Sequence, residues 1–323
     1  MLVLRADPWS AEFGMGYEAV AEETPLPASD PYVETTDWSR PLTPSVRRTE
    51  PVWFVDGVRR VEVRVVADHD GRRVPGLFGS HGVGAVACDG AARFDEHRIC
   101  RAVVLGCGVV PERAEISIGR ASLVFEPTTD AGSDPNRPLI RLQELMRAEE
   151  DALTARLLLR GVGLVVVDGP LRLGGEPGHA PIVGVIKRFM RRYLEPEHES
   201  LLGRLGPGER TPLFGLMDQQ AELRGYSWYT RLTDVRPPWH DHAGIVRCEV
   251  RAGVRLDGAV ALAEQTTALL PAYAGRPTDP RTPQNLAPVA GLERWLRHRM
   301  GDHAMIRRSI LVYLSSKEDT SDG

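Results

Sequence analysis

The sequence contains four cysteines, Cys88, Cys100, Cys107 and Cys248, and no CxxC pair. That pattern excludes a standard zinc site and a disulfide framework, and it predicts reduced core thiols. No apolar stretch approaches the roughly 18 residues needed to span a bilayer. No basic region followed by an apolar run opens the chain, so no signal peptide is expected. Together these absences predict a soluble, cytoplasmic protein that does not enter membranes. Charge of neither sign dominates: 40 Lys+Arg stand against 44 Asp+Glu, a formal net charge of -4. Such a balance neither suggests nor excludes nucleic acid, because local distribution matters more than the total. The glycine clusters "GGEPG" and "GPGER" lack the lysine-serine order of a P-loop, and no GxSxG elbow or cysteine-histidine dyad is present. "WHDHAG" brings His240, Asp241 and His242 together, but its spacing matches no zinc pattern and reads as a polar loop.

What is present is ordinary globular composition, 42% hydrophobic and 26% charged over 323 residues, enough for a sizeable core. Residues 1–50 are rich in Pro, Asp, Glu, Ser and Thr and predict an arm with one short helix, packed on the main body or on a partner. From Val52 the pattern changes. Val52 to Val55 is a continuous apolar run, the mark of a strand buried on both faces. Val61, Val63 and Val65 alternate with charged residues, as in a half-exposed strand. "HDG" (His69 to Gly71) is a turn signal; "GVGAVACDG" and the segment from Arg101 to Leu105 read as further strands of a meander. Leu142, Leu145, Met146, Leu153 and Leu157 give helical periodicity from Leu139 to Leu159, with Gly161 and Gly163 as breakers. A strand ending at Asp168 follows at once. Ile182 to Ile186 is another strand leading into a basic helix, "YSWYTRL" and "AGIVRCEVR" are strand-like, and the C-terminal third is helical up to a polar, disordered tail at 316–323. This order predicts a mixed α/β sheet flanked by helices, not an alternating doubly wound one.

Two carboxylates stand out. Asp56 in "FVDG" and Asp168 in "VVVDG" each follow a buried apolar run. A carboxylate in that position is costly unless it is paired or bound to a cation. If the two strands are parallel neighbours, their carboxylates converge at one edge of the sheet, and a divalent cation relieves their repulsion. The bland alternative is that Asp-Gly is a common turn. The helix before Asp168 offers a third carboxylate. Glu150 lies four residues after Met146 and three before Leu153; Glu149 lies four after Leu145 and four before Leu153. Periodicity narrows the choice to these two and does not settle it. Lys187 directly follows a buried strand, then come Arg188, Arg191 and Arg192; Arg231 lies near Trp228 and Tyr229. Basic residues at strand ends suit phosphates and aromatics can stack on bases. The competing reading puts the arginines on an ordinary surface and the aromatics in the core.

From Val52 to Leu314 the chain resembles the NurA nuclease family. The resemblance rests on "FVDG" (Phe54 to Gly57), "VVVDGPL" (Val165 to Leu171), "VGVIK" (Val183 to Lys187), "YLEPEHESLLGRLGPGERTPLF" (Tyr193 to Phe214) and "SWYTRL" (Ser227 to Leu232). "DPRTPQNLAPVAGLERWLRHRMGD" (Asp279 to Asp302) is similar to the C-terminal segment of bacterial members. The resemblance implies a ribonuclease H-like fold over residues 51–315 and Mn²⁺- or Mg²⁺-dependent DNA cleavage. The activities it implies are a 5'-3' exonuclease on DNA ends and an endonuclease on single strands. It also implies a homodimer, a HerA-like hexameric helicase-translocase as partner, and a role in DNA end processing or phage defence. Carried over, the metal-binding carboxylates are Asp56, Asp168 and Glu150, or Glu149 if the alignment slips by one; Lys187 and Arg231 hold DNA phosphates. Archaeal members carry a metal-binding histidine where this chain reads "TPQNLAPVAGLE". Gln284, Asn285 or Glu293 are the substitutes on offer there, with His298 and His303 further on. Two other readings are a non-catalytic DNA-binding or regulatory subunit of the ATPase, and an actin-like ATPase using the VDG turns as phosphate loops.

Overall fold

A computed structural model describes residues 3–6, 29–46, 51–171, 180–187, 192–234, 242–275 and 285–319. The strands are β1 (Val3–Ala6), β2 (Ser29–Asp30), β3 (Val52–His69), β4 (Arg72–Asp89), β5 (Ala91–Leu105), β6 (Ala114–Ile118), β7 (Ala121–Thr129), β8 (Leu164–Asp168), β9 (Ile182–Ile186), β10 (Phe214–Met217), β11 (Leu223–Arg231) and β12 (Ile245–Arg251). The helices are α1 (Arg137–Leu159), α2 (Pro196–Glu199), α3 (Arg255–Leu269), α4 (Ala287–Arg299) and α5 (His303–Asp319).

The strands form one mixed sheet in the order β2-β10-β11-β12-β9-β8-β3-β4-β5-β7-β6, with β1 on the remaining edge of β3. Its centre is the antiparallel meander β3-β4-β5 followed by β8 and β9, both parallel to β3. This is the expected mixed sheet flanked by helices. The meander pairs because long valine-rich runs alternate faces; β8 is short and apolar up to Asp168, with α1 on one face and α4 on the other, and β9 is short and apolar throughout.

The pleat sorts side chains by face. Val52, Phe54 and Val58 join Leu164 and Val166 in a core packed by α3 and α4. Val55, Val83, Ala85 and Val165 point the other way, onto Met146, Leu153 and Leu157 of α1. Each such buried aliphatic side chain contributes about 1.5–3 kcal/mol. The cluster of Val63, Val65, Phe78, Val103 and Phe125 is closed by Ile306, Ile310 and Leu314 of α5.

Several expectations change. The two strands read at 52–55 and 61–65 are one continuous strand, with an irregularity between Val61 and Val63. The described parts of the arm meet the body: β1 pairs β3, β2 pairs β10, and Arg210 forks onto Glu34 and Glu264. No helix occurs among its described residues, however. The basic helix after β9 falls partly outside the described residues, and from Arg192 to Glu195 the chain is not helical. The tail expected from 316 is helical as far as Asp319. All four thiols are free, but only Cys88 and Cys248 are core residues, Cys107 being exposed. Among the described residues no helix is long and apolar enough to cross a membrane.

Candidate active site

Asp56 does not end a strand. It lies inside β3, which runs on for thirteen residues to His69. What ends there is the pairing with β8, whose register matches Val52 to Leu164 and Val55 to Val167. One further step on both strands brings Asp56 level with Asp168. There β8 stops, because Gly169 adopts a φ of 128° that other residues avoid. Beyond this point the edge of β3 has no partner among the described residues until β1 pairs with Val65 to Asp68. The two aspartates therefore sit at a gap in the sheet, on the parallel neighbours that the convergence argument requires.

By the pleat, Asp56 and Asp168 share the face covered by α4. Glu293, on the first half of α4, meets them there: ligand oxygens of Asp56, Asp168 and Glu293 all lie within 4.8 Å of one another. Gly57 points to the opposite face, toward α1, and a Cβ at this position would collide with Oε1 of Glu150 and approach Cγ of Met146 to 2.9 Å. Glu150 reaches the same gap from the α1 side. Four carboxylates thus converge from two strands and from helices on both faces of the sheet.

Asp56 is only 6% exposed, and its Oδ2 has no hydrogen-bond partner among the described residues. Burial, then the charges of Asp168, Glu150 and Glu293, push its carboxyl well above the usual range, while Lys187 pulls the other way. Lys187 follows β9 and donates to Asp168 Oδ2 at 2.6 Å and to Asn285 Oδ1 at 2.9 Å. The turn after Asp168 is held by Glu249, whose Oε1 accepts from the Leu171 N–H at 2.7 Å and whose Oε2 pairs with Arg247 at 2.8 Å.

A buried, partnerless carboxylate oxygen beside two further carboxylates is an expensive arrangement. An all-oxygen donor set of this kind fits Mg²⁺ or Mn²⁺ rather than zinc or copper. These carboxylates line an open cavity of about 520 Å³ whose wall also carries Arg59, Arg147, Arg251 and Arg297.

The NurA domain family matches residues 84–289, more than half of the chain. The chain belongs to the NurA nuclease family. The NurA match contains Glu150, Asp168 and Lys187, whereas Asp56 precedes it and Glu293 follows it. No curated protein matches the sequence significantly. Among solved structures, this NurA chain is similar to human ENDOV, with 15% identity over 80% of this chain and 92% of that one and a TM-score of 0.31. It is also similar to endonuclease V of Ciona intestinalis in complex with a 24mer DNA containing an inosine followed by a ribo-adenosine. There the identity is 9% over 79% and 88% of the two chains, with a TM-score of 0.35.

Of the residues singled out from sequence, Asp56, Glu150 and Asp168 come together. Glu149 does not: it faces away and pairs with Arg98 at 3.0 Å. Neither cation expected to hold phosphates is on the cavity wall. Lys187 is engaged by Asp168 and Asn285. Arg231 is buried, and its guanidinium donates to the backbone carbonyls of Leu205, Ala243 and Leu202, so it braces a loop instead. Trp228 and Tyr229 are core residues, as the competing reading held. Arg192 pairs with Glu199 at 3.4 Å. Arg188, Arg191, His240, Asp241 and Gln284 lie outside the described residues. Of the substitutes for the family's histidine, Glu293 joins the carboxylates, Asn285 binds Lys187, His298 is exposed, and His303 sits 3.6 Å from Glu62.

The cavity arginines were missed in the sequence. Arg147 stands three residues before Glu150 and Arg297 four after Glu293. Each is one helical turn from a carboxylate of the cluster, which is the signal that identifies them.

Proposed function

We propose that this NurA protein is a divalent-metal-dependent deoxyribonuclease, and the observation that carries the reading is the convergence of Asp56, Glu150, Asp168 and Glu293 around the orphaned Oδ2 of Asp56. Asp56, Asp168 and Glu293 would hold the ion, Mn²⁺ or Mg²⁺. When bound, such an ion supplies Lewis-acid chemistry, lowering the pKa of water and neutralising charge on a phosphodiester. Lys187 orients the Asp168 carboxylate. Glu249 fixes the turn that ends β8. Glu150, across the strand from the other three, is placed to take the proton of a water that attacks phosphorus. The arginines of the cavity wall bind the phosphates and compensate the negative charge that the carboxylates present to DNA.

The family supports the finer reading: 5'-3' exonuclease action on DNA ends and endonuclease action on single strands, a homodimer, and a HerA-like hexameric translocase that feeds it DNA in the cytoplasm. End processing and phage defence are the two settings for such a pair. Incubation of labelled single- and double-stranded DNA with Mn²⁺ tests the activity, with Asp56→Ala as the paired variant. Cleavage by the wild type that disappears in the variant supports the reading. No cleavage by either, or equal cleavage by both, refutes it.

A further inference from the structure

The carboxylate cavity does not end at the metal site. A second cavity of about 480 Å³ lies beside it along α1 and shares Arg59, Gln143 and Arg147 with it. Together the two run along α1 from Leu139 to Leu158, about 28 Å at the rise of an α-helix. Each is the size of a cavity that encloses a single small molecule, which leaves room for a few nucleotides of one strand and not for a duplex.

Arg147 and Arg297 differ from the arginines beside them on β5 and α1. Arg98, Arg156 and Arg160 are all paired with carboxylates. Arg147 on α1 and Arg297 on α4 are exposed, flank the carboxylate cluster from opposite helices, and make no hydrogen bond or ion pair with another described residue. Arg251 lines the same cavity with its Nε buried and unpartnered. A guanidinium that stays off neighbouring carboxylates is available to a phosphate, which it binds in a two-pronged fashion. No described residue lining either cavity is aromatic, so nothing is present to stack on bases.

We propose that the two cavities are one groove that takes a single-stranded phosphodiester backbone, gripped by Arg147 and Arg297 on either side of the carboxylates and read without regard to base. This rests on the nuclease reading for its biological substrate and deepens it by assigning the path of the strand. Contacts of this type act through phosphate charge, so each one removed lowers the dependence of log affinity on log salt by about 0.7 for a single strand.

The test is the affinity of wild-type protein, Arg147→Gln and Arg297→Gln for a fluorescent oligothymidylate, measured across a salt series with a chelator present so that no cleavage occurs. Arg307→Gln, an exposed arginine of α5 away from the groove, is the control. The expected result is weaker binding and a slope smaller by about 0.7 for each groove variant, with the control unchanged and oligoadenylate bound like oligothymidylate. Wild-type slopes in both groove variants, or an equal loss in the control, would overturn the proposal. Tighter binding of a duplex of the same length would overturn it too. Failure of the groove is distinguishable from failure of the nuclease reading. Cleavage that depends on Asp56, combined with unchanged binding by the arginine variants, removes only the strand path. Arginine-dependent binding without any cleavage removes only the nuclease.

Discussion

Gly57 and Glu150 occupy one space: the carboxylate of the α1 glutamate sits where a side chain on the β3 glycine would be, with Met146 Cγ 2.9 Å from the same position. Gly57→Ala therefore pushes Glu150 out of the gap without touching Asp56, Asp168 or Glu293. The expected outcome is a folded protein, destabilised by about 1–3 kcal/mol as in other overpacked sites, whose DNA cleavage falls about 10²-fold, the scale set by ångström misplacement of a catalytic group. In Glu150→Ala the added methyl group has no carboxylate to displace and presses only on the flexible Met146 side chain. Gly57→Ala should then cost little more in cleavage, a non-additivity that a double-mutant cycle reads directly.

Asp56 makes the metal-stripped protein sensitive to alkali. Its folded-state carboxyl is raised by burial and by Asp168, Glu150 and Glu293. The folded protein thus holds this proton more tightly than the unfolded chain, whose aspartate titrates near 3.9. The resulting stability is present below that value and is lost as pH rises through the raised folded value. In chelator, Asp56→Asn should melt at the wild-type temperature in acid and about 2–4 °C above it at alkaline pH, the shift of roughly 1 kcal/mol in a domain of this scale. Added Mn²⁺ should raise the melting temperature of the wild type, by preferential binding to the folded state, and leave the variant unmoved. Identical melting curves at alkaline pH would contradict the repulsion argument.

Glu293 is the carboxylate of α4 that joins the two aspartates. Glu293→Gln should weaken Mn²⁺ binding at least about tenfold, since even indirect partners of a metal site cost that much. His298→Ala should bind as the wild type does, because that histidine is exposed at the far end of the helix. Electron paramagnetic resonance of free Mn²⁺ separates the two; equal affinities would remove Glu293 from the site.

His81, on β4, is buried, and burial lowers its pKa to about 4. It therefore folds neutral. The stability tied to it is complete above the unfolded value near 6.5 and is lost as pH falls from there toward about 4. At 1.36 kcal/mol per unit this amounts to about 3 kcal/mol. His81→Gln should flatten the stability profile between these two pH values, measured by urea unfolding, and an unchanged acid slope would show that other groups carry it.

Much of this was legible in the residues. The strand meander, the long helix and the two parallel strands follow from period-2 and period-3.6 patterns that reflect which face meets the core. Glu150 against Glu149 was undecided because both fit the stripe within the width of a helical face. The difference is tertiary: Arg98 on β5 claims one, and the missing side chain of Gly57 admits the other. Lys187 and Arg231 show a related limit. Sequence reports a cation at a strand end but not the acceptors that fold back onto it, here Asp168 and Asn285 in one case and three backbone carbonyls in the other.

By itself the sequence determined that two carboxylates adjoin two buried strands, because hydrophobic runs and the charges that interrupt them are local properties. Only the tertiary structure decided that Asp56 lies within a strand and not at its end. Asp-Gly reads as a turn wherever backbone preference rules. At Gly57 that preference is overridden by continuous pairing with β4 on one side and by the carboxylate of Glu150 above it. Register along the chain placed each acid on its element, and packing across both faces of the sheet brought the four together.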